Sequence, residues 1–233
     1  MSKHTVLIWD LPTRLFHWLL VGCLSGAVIS VKIGGNAMIW HGRFGLAIVG
    51  LLGFRLAWGF VGSHTARFTQ FVRGPATIAA YLRGQWQGIG HNPLGALSVL
   101  AMLLVLFAQA LTGLVANDDI AFTGPLYAAV SKDLSDALTG WHRRGEWAIF
   151  ALIALHLAAL LYYRLIKKEP LIRPMITGRK PVTQPAPPTP RHAGPLAFIV
   201  SLSIGASAVW IASGALLPPP PPPPPTAVNT PAW

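Results

Sequence analysis

Five apolar stretches dominate this sequence, and each is long enough to cross a lipid bilayer. A spanning helix needs about 20 predominantly apolar residues at a rise of about 1.5 Å per residue. Only the second stretch contains charged residues, Arg43 and Arg55 near its two ends, where long side chains reach the membrane surface. We therefore predict an all-α membrane protein with five spans. The spans are 15–31, 39–60, 94–116, 147–163 and 196–217.

The composition agrees with this fold class and excludes several others. Hydrophobic residues make up 53% of the 233 residues and charged residues 11%, whereas soluble domains carry roughly a quarter charged residues. The net charge of +11 is compatible with nucleic acid binding, but the basic residues lie between the apolar stretches. We therefore expect a lipid bilayer and no nucleic acid as partner. The single cysteine, Cys23, excludes a disulfide framework, a cysteine-held iron–sulfur cluster and covalent haem attachment.

The distribution of basic residues in the loops predicts the orientation. The N-terminal segment, the 61–93 loop and the 164–195 segment hold 12 of the 18 lysines and arginines, and five spans place these segments on one side. The 117–146 loop on the other side has five acidic residues against three basic ones. Because cytoplasmic loops are enriched in basic residues, we predict a multi-pass membrane protein. Its N-terminus is cytoplasmic and its C-terminal tail periplasmic.

Four segments follow from this pattern. Residues 1–169 form a four-helix unit, 170–195 a basic, proline-rich cytoplasmic linker, 196–217 a fifth transmembrane helix and 218–233 a polyproline periplasmic tail. The eight consecutive prolines 218–225 favour an extended polyproline II rod. We interpret this rod as a spacer, and a docking segment for a partner is the alternative.

Four of the eight histidines lie within or beside the predicted spans, where an ionisable side chain is costly and indicates function. His142 and His156 are 14 residues apart, close to four helical turns, so they share one helix face about 21 Å apart along the axis. The alternating direction of the spans places His41 at the depth of His142, and His17 at the depth of His156. The other histidines are expected at the surface or the membrane interface; they are His4, His64, His91 and His192.

Two facing imidazoles in a helical bundle fit the two axial positions of a six-coordinate b-type haem, with the apolar core around the macrocycle. Zinc fits less well because it prefers three or four protein ligands close together. We therefore predict two haem sites, one with His17 and His156 and the other with His41 and His142. Small residues beside these histidines leave room for a flat ring, although close helix packing explains them equally well. They are Gly22, Gly26, Gly42 and Gly45.

Three arginines are candidates for binding the haem propionates through paired hydrogen bonds. Arg14 and Arg55 lie on the predicted cytoplasmic side, where the topology alone also accounts for basic residues. Arg43 lies on the predicted periplasmic side, where the topology does not account for a basic residue. We therefore rank Arg43 first among the propionate partners.

Several motifs occur in a fixed order between residues 6 and 180. They are Ile8-Trp9-Asp10 with Arg14-Leu-Phe-His17-Trp18, Trp40-His41-Gly42-Arg43-Phe-Gly45, Phe54-Arg55-Leu-Ala-Trp58-Gly59-Phe-Val-Gly62, Phe71-Val-Arg73-Gly74-Pro75, Gly90-His91-Asn92-Pro93-Leu-Gly95 and Met175-Ile-Thr177-Gly178-Arg179-Lys180. Together they resemble the bacterial cytochrome b561 family of diheme membrane cytochromes, which is related to the cytochrome b subunits of nickel–iron hydrogenases. The resemblance implies two haem b groups, each ligated by two histidines from helices one, two and four. These correspond to His17, His41, His142 and His156.

The resemblance and the histidine pattern favour a transmembrane diheme cytochrome. It would transfer electrons between the membrane quinone pool, ubiquinone or menaquinone, and a periplasmic redox partner such as a c-type cytochrome. Two alternatives stay open, a membrane-anchor cytochrome b subunit of a hydrogenase or other dehydrogenase complex, and a superoxide:quinone oxidoreductase. A transporter or metal-handling protein is disfavoured because no span has an aspartate or glutamate at its centre.

Overall fold

A computed structural model of the chain describes residues 4–86, 90–182 and 193–218. Five of its helices are long and apolar enough to cross a membrane. They are α1 (Leu11–Ile33), α2 (Met38–Val61), α5 (Pro93–Leu114), α6 (Lys132–Leu165) and α8 (Pro195–Ala212). The prediction of an all-α membrane protein is confirmed.

Shorter elements connect these helices. On the side where α1 begins, called the N-terminal side below, α3 (Phe68–Phe71) and α4 (Pro75–Leu82) lie between α2 and α5. On the opposite side, 3₁₀ turns at Gly35–Ala37 and Tyr127–Ala129 lie between α1 and α2 and between α5 and α6. The remaining elements are the strands β1 (His4–Leu7) and β2 (Arg179–Val182) and the helix α7 (Ile172–Thr177).

Local sequence signals explain where the long helices begin. Asp10 caps α1 by accepting a hydrogen bond from the Thr13 backbone N–H at 2.8 Å, and Asn92 caps α5 by accepting one from Gly95 at 2.7 Å. Ser131 does the same for α6. Such caps satisfy backbone N–H groups that have no partner inside the helix.

Helix α6 begins well before the apolar stretch 147–163 that marks it in the sequence. Its 34 residues correspond to roughly 50 Å at 1.5 Å per residue, and a bilayer core is only about 30 Å thick. The first turns of α6 therefore extend beyond the membrane on the side opposite the N-terminus.

The interior of the bundle is formed by α1, α2, α5 and α6. Leu52 of α2, which is fully buried, packs with Phe16 of α1, Leu103 and Leu106 of α5 and Ile149 of α6. Helix α2 thus contributes the centre of this core. An exposed, apolar outer surface on all of these helices is the expected arrangement in lipid.

The fifth long helix, α8, packs against α2 through small residues. A side-chain carbon added at Gly50 would lie 2.6 Å from Val209, and one added at Gly205 would lie 2.7 Å from the Gly50 carbonyl oxygen. Ser201 of α8 is fully buried. Small residues allow helix backbones to approach closely, and in a membrane this packing is what drives helix association.

The chain after α6 folds back onto the N-terminus. Strand β2 pairs antiparallel with β1, with Leu7 opposite Arg179, and the Ile8 and Trp9 backbone N–H groups donate to the Gly178 carbonyl oxygen at 2.8 and 3.1 Å. The sequence suggested a basic, proline-rich linker over 170–195, and the first part of this segment contains α7 and β2. Residues 183–192, including His192, and all of the predicted tail except Pro218 lie outside the described residues.

Candidate functional site

His41 and His142 face each other from α2 and α6. Their ring centroids are 6.0 Å apart and the ring planes are nearly perpendicular, at 89°. His41 Nδ1 lies 2.9 Å from the Ala27 carbonyl oxygen on α1, and His142 Nδ1 lies 2.9 Å from the Gln109 carbonyl oxygen on α5. Four helices therefore meet at this pair of rings.

These two hydrogen bonds determine the chemistry of both rings. A carbonyl oxygen only accepts hydrogen bonds, so Nδ1 of His41 and Nδ1 of His142 each carry the proton. The Nε2 atom of each ring is then left with a free lone pair for a metal ion. This arrangement, with one ring nitrogen on a protein acceptor and the other free, is typical of metal-ligating histidines.

The spacing of the two rings fits one metal ion between them. Two imidazoles bound on opposite sides of an ion through bonds of about 2 Å have ring centroids about 6 Å apart. Among the described residues, no group of three or more His, Cys, Asp or Glu side chains is arranged to hold a metal ion. The pair therefore suits the two axial positions of a haem iron better than a zinc site.

The glycines near the histidines divide into two kinds. Gly22 and Gly45 face open space, since a side-chain carbon added at either would meet no atom within 4 Å. At Gly26 the added carbon would lie 2.6 Å from the Phe44 ring, and at Gly42 it would lie 3.4 Å from Phe122. Gly22 and Gly45 thus have open space beside them, whereas Gly26 and Gly42 lie against aromatic rings.

His17 and His156 form the other predicted pair. His17 lies on α1 and His156 on α6, both half-buried, and they are close enough for their charges to interact. His17 Nδ1 is buried and has no hydrogen-bond partner within the described part of the chain. The indole of Trp18 stands edge-on to the His17 ring at 4.9 Å.

Buried polar atoms without partners are concentrated on the N-terminal side. In the described ranges they include Arg14 Nε, Arg55 Nη1, Ser63 Oγ, Arg67 Nε and His91 Nδ1. Arg55 is only 3% exposed, with its guanidinium carbon 4.8 Å from the Phe68 ring centroid. Arg55 has one acidic neighbour, since the charge of Asp10 interacts with its own. Buried polar groups are normally paired, so the remaining unpartnered N–H groups of this region suit a further anionic ligand such as the carboxylates of haem propionates.

The other two candidate arginines differ from Arg55. Arg14 donates from Nη1 to the Ile176 carbonyl oxygen at 2.5 Å, which ties α1 to α7. Arg43 is exposed on the opposite side, and its guanidinium carbon lies 4.8 Å from the ring centroid of Trp40. Arg55 is therefore the most buried of the three candidate arginines, and its Nη1 has no hydrogen-bond partner within the described residues.

The family model for prokaryotic cytochrome b561 matches residues 8–178. The chain belongs to the prokaryotic cytochrome b561 family. This is the family whose motifs the sequence resembles, and it makes the chain a b-type cytochrome with electron transfer as its chemistry and haem b as its cofactor.

Curated relatives of this cytochrome b561-family chain are also b-type cytochromes. The "Probable Ni/Fe-hydrogenase B-type cytochrome subunit" of Azotobacter chroococcum mcd 1 is 25% identical over 76% of this chain and 89% of its own length. The "Probable Ni/Fe-hydrogenase 1 B-type cytochrome subunit" of Escherichia coli K12 is 22% identical over 73% of this chain and 88% of its own length. No solved structure matches the chain.

The family match ends at residue 178, before the fifth helix begins. Helix α8 (Pro195–Ala212) and its packing against Gly50 and Gly53 of α2 are therefore additions to the matched region.

Two residues of this cytochrome have a role that the sequence analysis did not assign. Gln109 binds His142 through its backbone, and it is one of few polar residues in the charge-free span 94–116, a signal that was available in the sequence.

His91 lies between the rings of Trp9 and Phe71, at 4.5 and 4.8 Å. Burial, together with the nearby charge of Arg55, lowers the pKa of His91 to about 3. The burial of His91 depends on Trp9, which comes from a distant part of the chain.

Proposed function

We propose that this cytochrome b561-family protein is a diheme electron carrier that spans the bacterial inner membrane. It passes electrons between the membrane quinone pool and a periplasmic redox partner such as a c-type cytochrome. The observation that carries the proposal is the pair His41 and His142, with ring centroids 6.0 Å apart and both Nδ1 atoms on carbonyl oxygens. When bound, haem b supplies an iron that accepts and releases one electron at a time.

Each residue set has a distinct task in this proposal. His41 and His142 hold one haem near the periplasmic side through their Nε2 atoms, and His17 and His156 hold the second near the cytoplasmic side. His142 and His156 lie on one helix about 21 Å apart along its axis, so haems held at the two histidine pairs would supply a relay for electrons across the bilayer. Arg55 pairs with a propionate of the second haem, with Arg14 and Arg43 as further propionate partners.

The second candidate function is a membrane-anchor cytochrome b subunit of a hydrogenase or other dehydrogenase complex. The relatives described above carry names of nickel–iron hydrogenase B-type cytochrome subunits, and this observation favours it. The two functions share the haem relay and differ in the partner on the periplasmic side.

Spectroscopy of the purified full-length chain tests the proposal. A pyridine haemochrome assay should give two haem b per polypeptide, and a reduced-minus-oxidised spectrum should show low-spin b-type bands. Decylubiquinol should reduce the haem, and an oxidised soluble c-type cytochrome should reoxidise it. A colourless protein would contradict the proposal. Reduction of the haem by dihydrogen in native membranes, abolished by deletion of a hydrogenase, would favour the second function.

A further inference from the structure

A cavity of about 450 Å³ lies between the start of α1, the end of α2 and the start of α8. Small-molecule sites have volumes of roughly 300–1,000 Å³ and are mostly apolar with a few polar groups. The walls of this cavity are mainly apolar, and its charged side chains are Asp10 and Arg14. The rings of Trp58 and Phe198, 6.2 Å apart and nearly perpendicular, form one wall. A mainly apolar cavity of this size with few polar groups suits an uncharged headgroup.

The polar groups of the cavity are held in place by the protein. Asp10 is 8% exposed; its Oδ1 accepts from the Thr13 backbone N–H at 2.8 Å and its Oδ2 from Trp58 Nε1 at 3.1 Å. Each carboxylate oxygen retains a lone pair for a further donor. Arg14 is fixed by its bond to the Ile176 carbonyl oxygen, and its guanidinium group, which has further N–H donors, lines the cavity. The cavity thus presents one acceptor group and one donor group to a ligand.

The cavity is lined by one residue of the outer surface, Leu11, and by Arg14, which lies one helical turn before the predicted haem ligand His17. Leu11, which lines it, is 55% exposed on the outer surface of a membrane-spanning helix. A ligand with a long apolar tail can therefore enter from the bilayer. Arg14 and His17 are three residues apart on α1, on neighbouring positions of one helix face and about 4.5 Å apart along the axis.

We infer that this cavity binds the headgroup of a membrane quinone and that α8 forms one of its walls. The inference rests on the proposed function and adds a site to it. Arg14 donates a hydrogen bond to a quinone carbonyl oxygen, Asp10 exchanges protons with the headgroup, and Trp58 and Phe198 contact its ring. Because Gly194 and Phe198 lie beyond the family match, which ends at residue 178, this wall belongs to the added helix.

The redox step balances with the groups named. A quinone that becomes a quinol takes up two electrons and two protons. The two electrons would be supplied one at a time by the haem that His17 and His156 would hold, and the second haem would re-reduce it between the two transfers. The protons come from the cytoplasmic water through the Asp10 carboxyl group. Oxidation of a quinol is the same step in reverse.

Substitutions at the start of α8 test the site in the full-length, haem-loaded protein. Gly194→Trp places a large side chain at the cavity wall, and a carbon added to Gly194 meets no atom within 4 Å, so the backbone accepts the change. Gly194→Ser is the matched control because serine is a good helix N-cap with a small side chain. Leu196→Trp adds the same bulk two residues further on, at a residue that is 72% exposed.

Three measurements are made on each variant: haem content, the affinity for the quinone analogue 2-heptyl-4-hydroxyquinoline N-oxide from its fluorescence quenching, and the rate of haem reduction by decylubiquinol. Gly194→Trp should raise the Kd of the analogue and slow the reduction at least about tenfold each, with haem content unchanged. Gly194→Ser and Leu196→Trp should stay within about twofold of the unsubstituted protein in both quantities.

A photoreactive azidoquinone should label the unsubstituted protein in peptides containing residues 7–14 and 193–198.

The outcomes separate this inference from the proposed function. If the unsubstituted protein contains no haem or is not reduced by decylubiquinol, the proposed function fails. If it is reduced but Gly194→Trp behaves like the controls, or the azidoquinone labels other peptides, the quinone binds elsewhere and the inference is wrong. Loss of a co-purifying phospholipid from Gly194→Trp with normal analogue binding would also overturn it, since the cavity would then be a lipid site. The labelling result decides the matter if Gly194→Trp does not fold.

Discussion

Gln109 and His142 are joined by two reciprocal hydrogen bonds. His142 Nδ1 donates to the Gln109 carbonyl oxygen at 2.9 Å, and the Gln109 side-chain Nε2 donates to the His142 carbonyl oxygen at 2.9 Å. The first bond orients the imidazole, and the second joins α5 and α6 at the same level. The position of a proposed axial ligand therefore depends directly on how these two helices pack.

Gly113 lies against the same imidazole, and adding a methyl group there should disturb it. In Gly113→Ala the new carbon would lie 2.7 Å from Cε1 and 3.1 Å from Nδ1 of His142, closer than carbon atoms pack. The ring must move, so we expect about half of the haem to be lost or its axial ligation to change. Absorption and EPR spectra of the purified variant provide the check.

Gly140→Ala is the matched control for this variant. A carbon added at Gly140 meets no atom within 4 Å. Both substitutions favour the helix by about 1 kcal/mol, because alanine has the higher helix propensity. Normal haem spectra in both variants would show that the His142 ring is not a ligand.

Removing one histidine of each pair should remove one haem and leave the other. His156→Ala deletes an axial ligand near the N-terminal side, and His142→Ala deletes one on the opposite side. Each variant should retain about half of the haem, with a different midpoint potential for the haem that stays. A haemochrome assay combined with a redox titration measures both quantities. His64→Ala changes an exposed histidine and should keep the full haem content. Loss of both haems from His156→Ala, in a protein that is otherwise folded, would contradict the pairing.

Replacing the buried Arg55 should lower the midpoint potential of the haem at His17 and His156. Ferric haem carries one more positive charge than ferrous haem, so a nearby cation disfavours the oxidised form and raises the potential. Arg55→Gln removes this cation, and the potential should fall by tens of millivolts.

Arg164→Gln serves as the comparison, since Arg164 is exposed at the end of α6 on the same side. Potentiometric titration of both variants in the same detergent gives the result. Equal potentials in Arg55→Gln and the unsubstituted protein would mean that Arg55 is not next to a haem.

The burial of His91 predicts a pH dependence of stability. Its pKa is about 3 in the folded protein and about 6.5 in an unfolded chain, so the unfolded state binds the proton more readily. The contribution of His91 is therefore fully present above pH 6.5 and is lost as the pH falls towards 3. Each pH unit in this window should cost up to about 1.4 kcal/mol.

Thermal unfolding at pH 7 and pH 5 tests this for the unsubstituted protein and for His91→Phe. Phenylalanine keeps an aromatic ring between Trp9 and Phe71 and cannot take up a proton. The drop in Tm between the two pH values should shrink in His91→Phe. An equal drop in both proteins would assign the pH dependence to other groups.

Much of the architecture follows from local properties of the chain. The apolar stretches predict all five long helices, because the length needed to cross a bilayer depends only on the rise per residue. The pairing of His41 with His142 by depth needs only the direction of successive spans. In the structure the centroids of these two rings are 6.0 Å apart. The bounds of α6 could not be predicted in this way, since its first turns, from Lys132, lie outside the apolar stretch.

Contacts between distant segments were not accessible from the sequence. His91 was expected at the interface, and the sequence did not indicate that its ring is half-buried against Trp9, which lies just after the β1–β2 pairing. Arg43 was ranked first among the propionate partners on topology alone. In the structure Arg43 is exposed beside Trp40, and its role with a propionate stays a prediction.

By itself, the sequence predicted the five long apolar helices and the depth pairing of the four histidines in the spans, because hydropathy and helical rise act along one segment at a time. Only the tertiary structure decided that the Ala27 and Gln109 carbonyls orient the two rings and that α8 packs on Gly50 to close a cavity above Asp10. Helix α8 is apolar on every face, so its pattern does not indicate which face meets a neighbour. That choice depends on the shapes of two helix surfaces that are far apart in the chain.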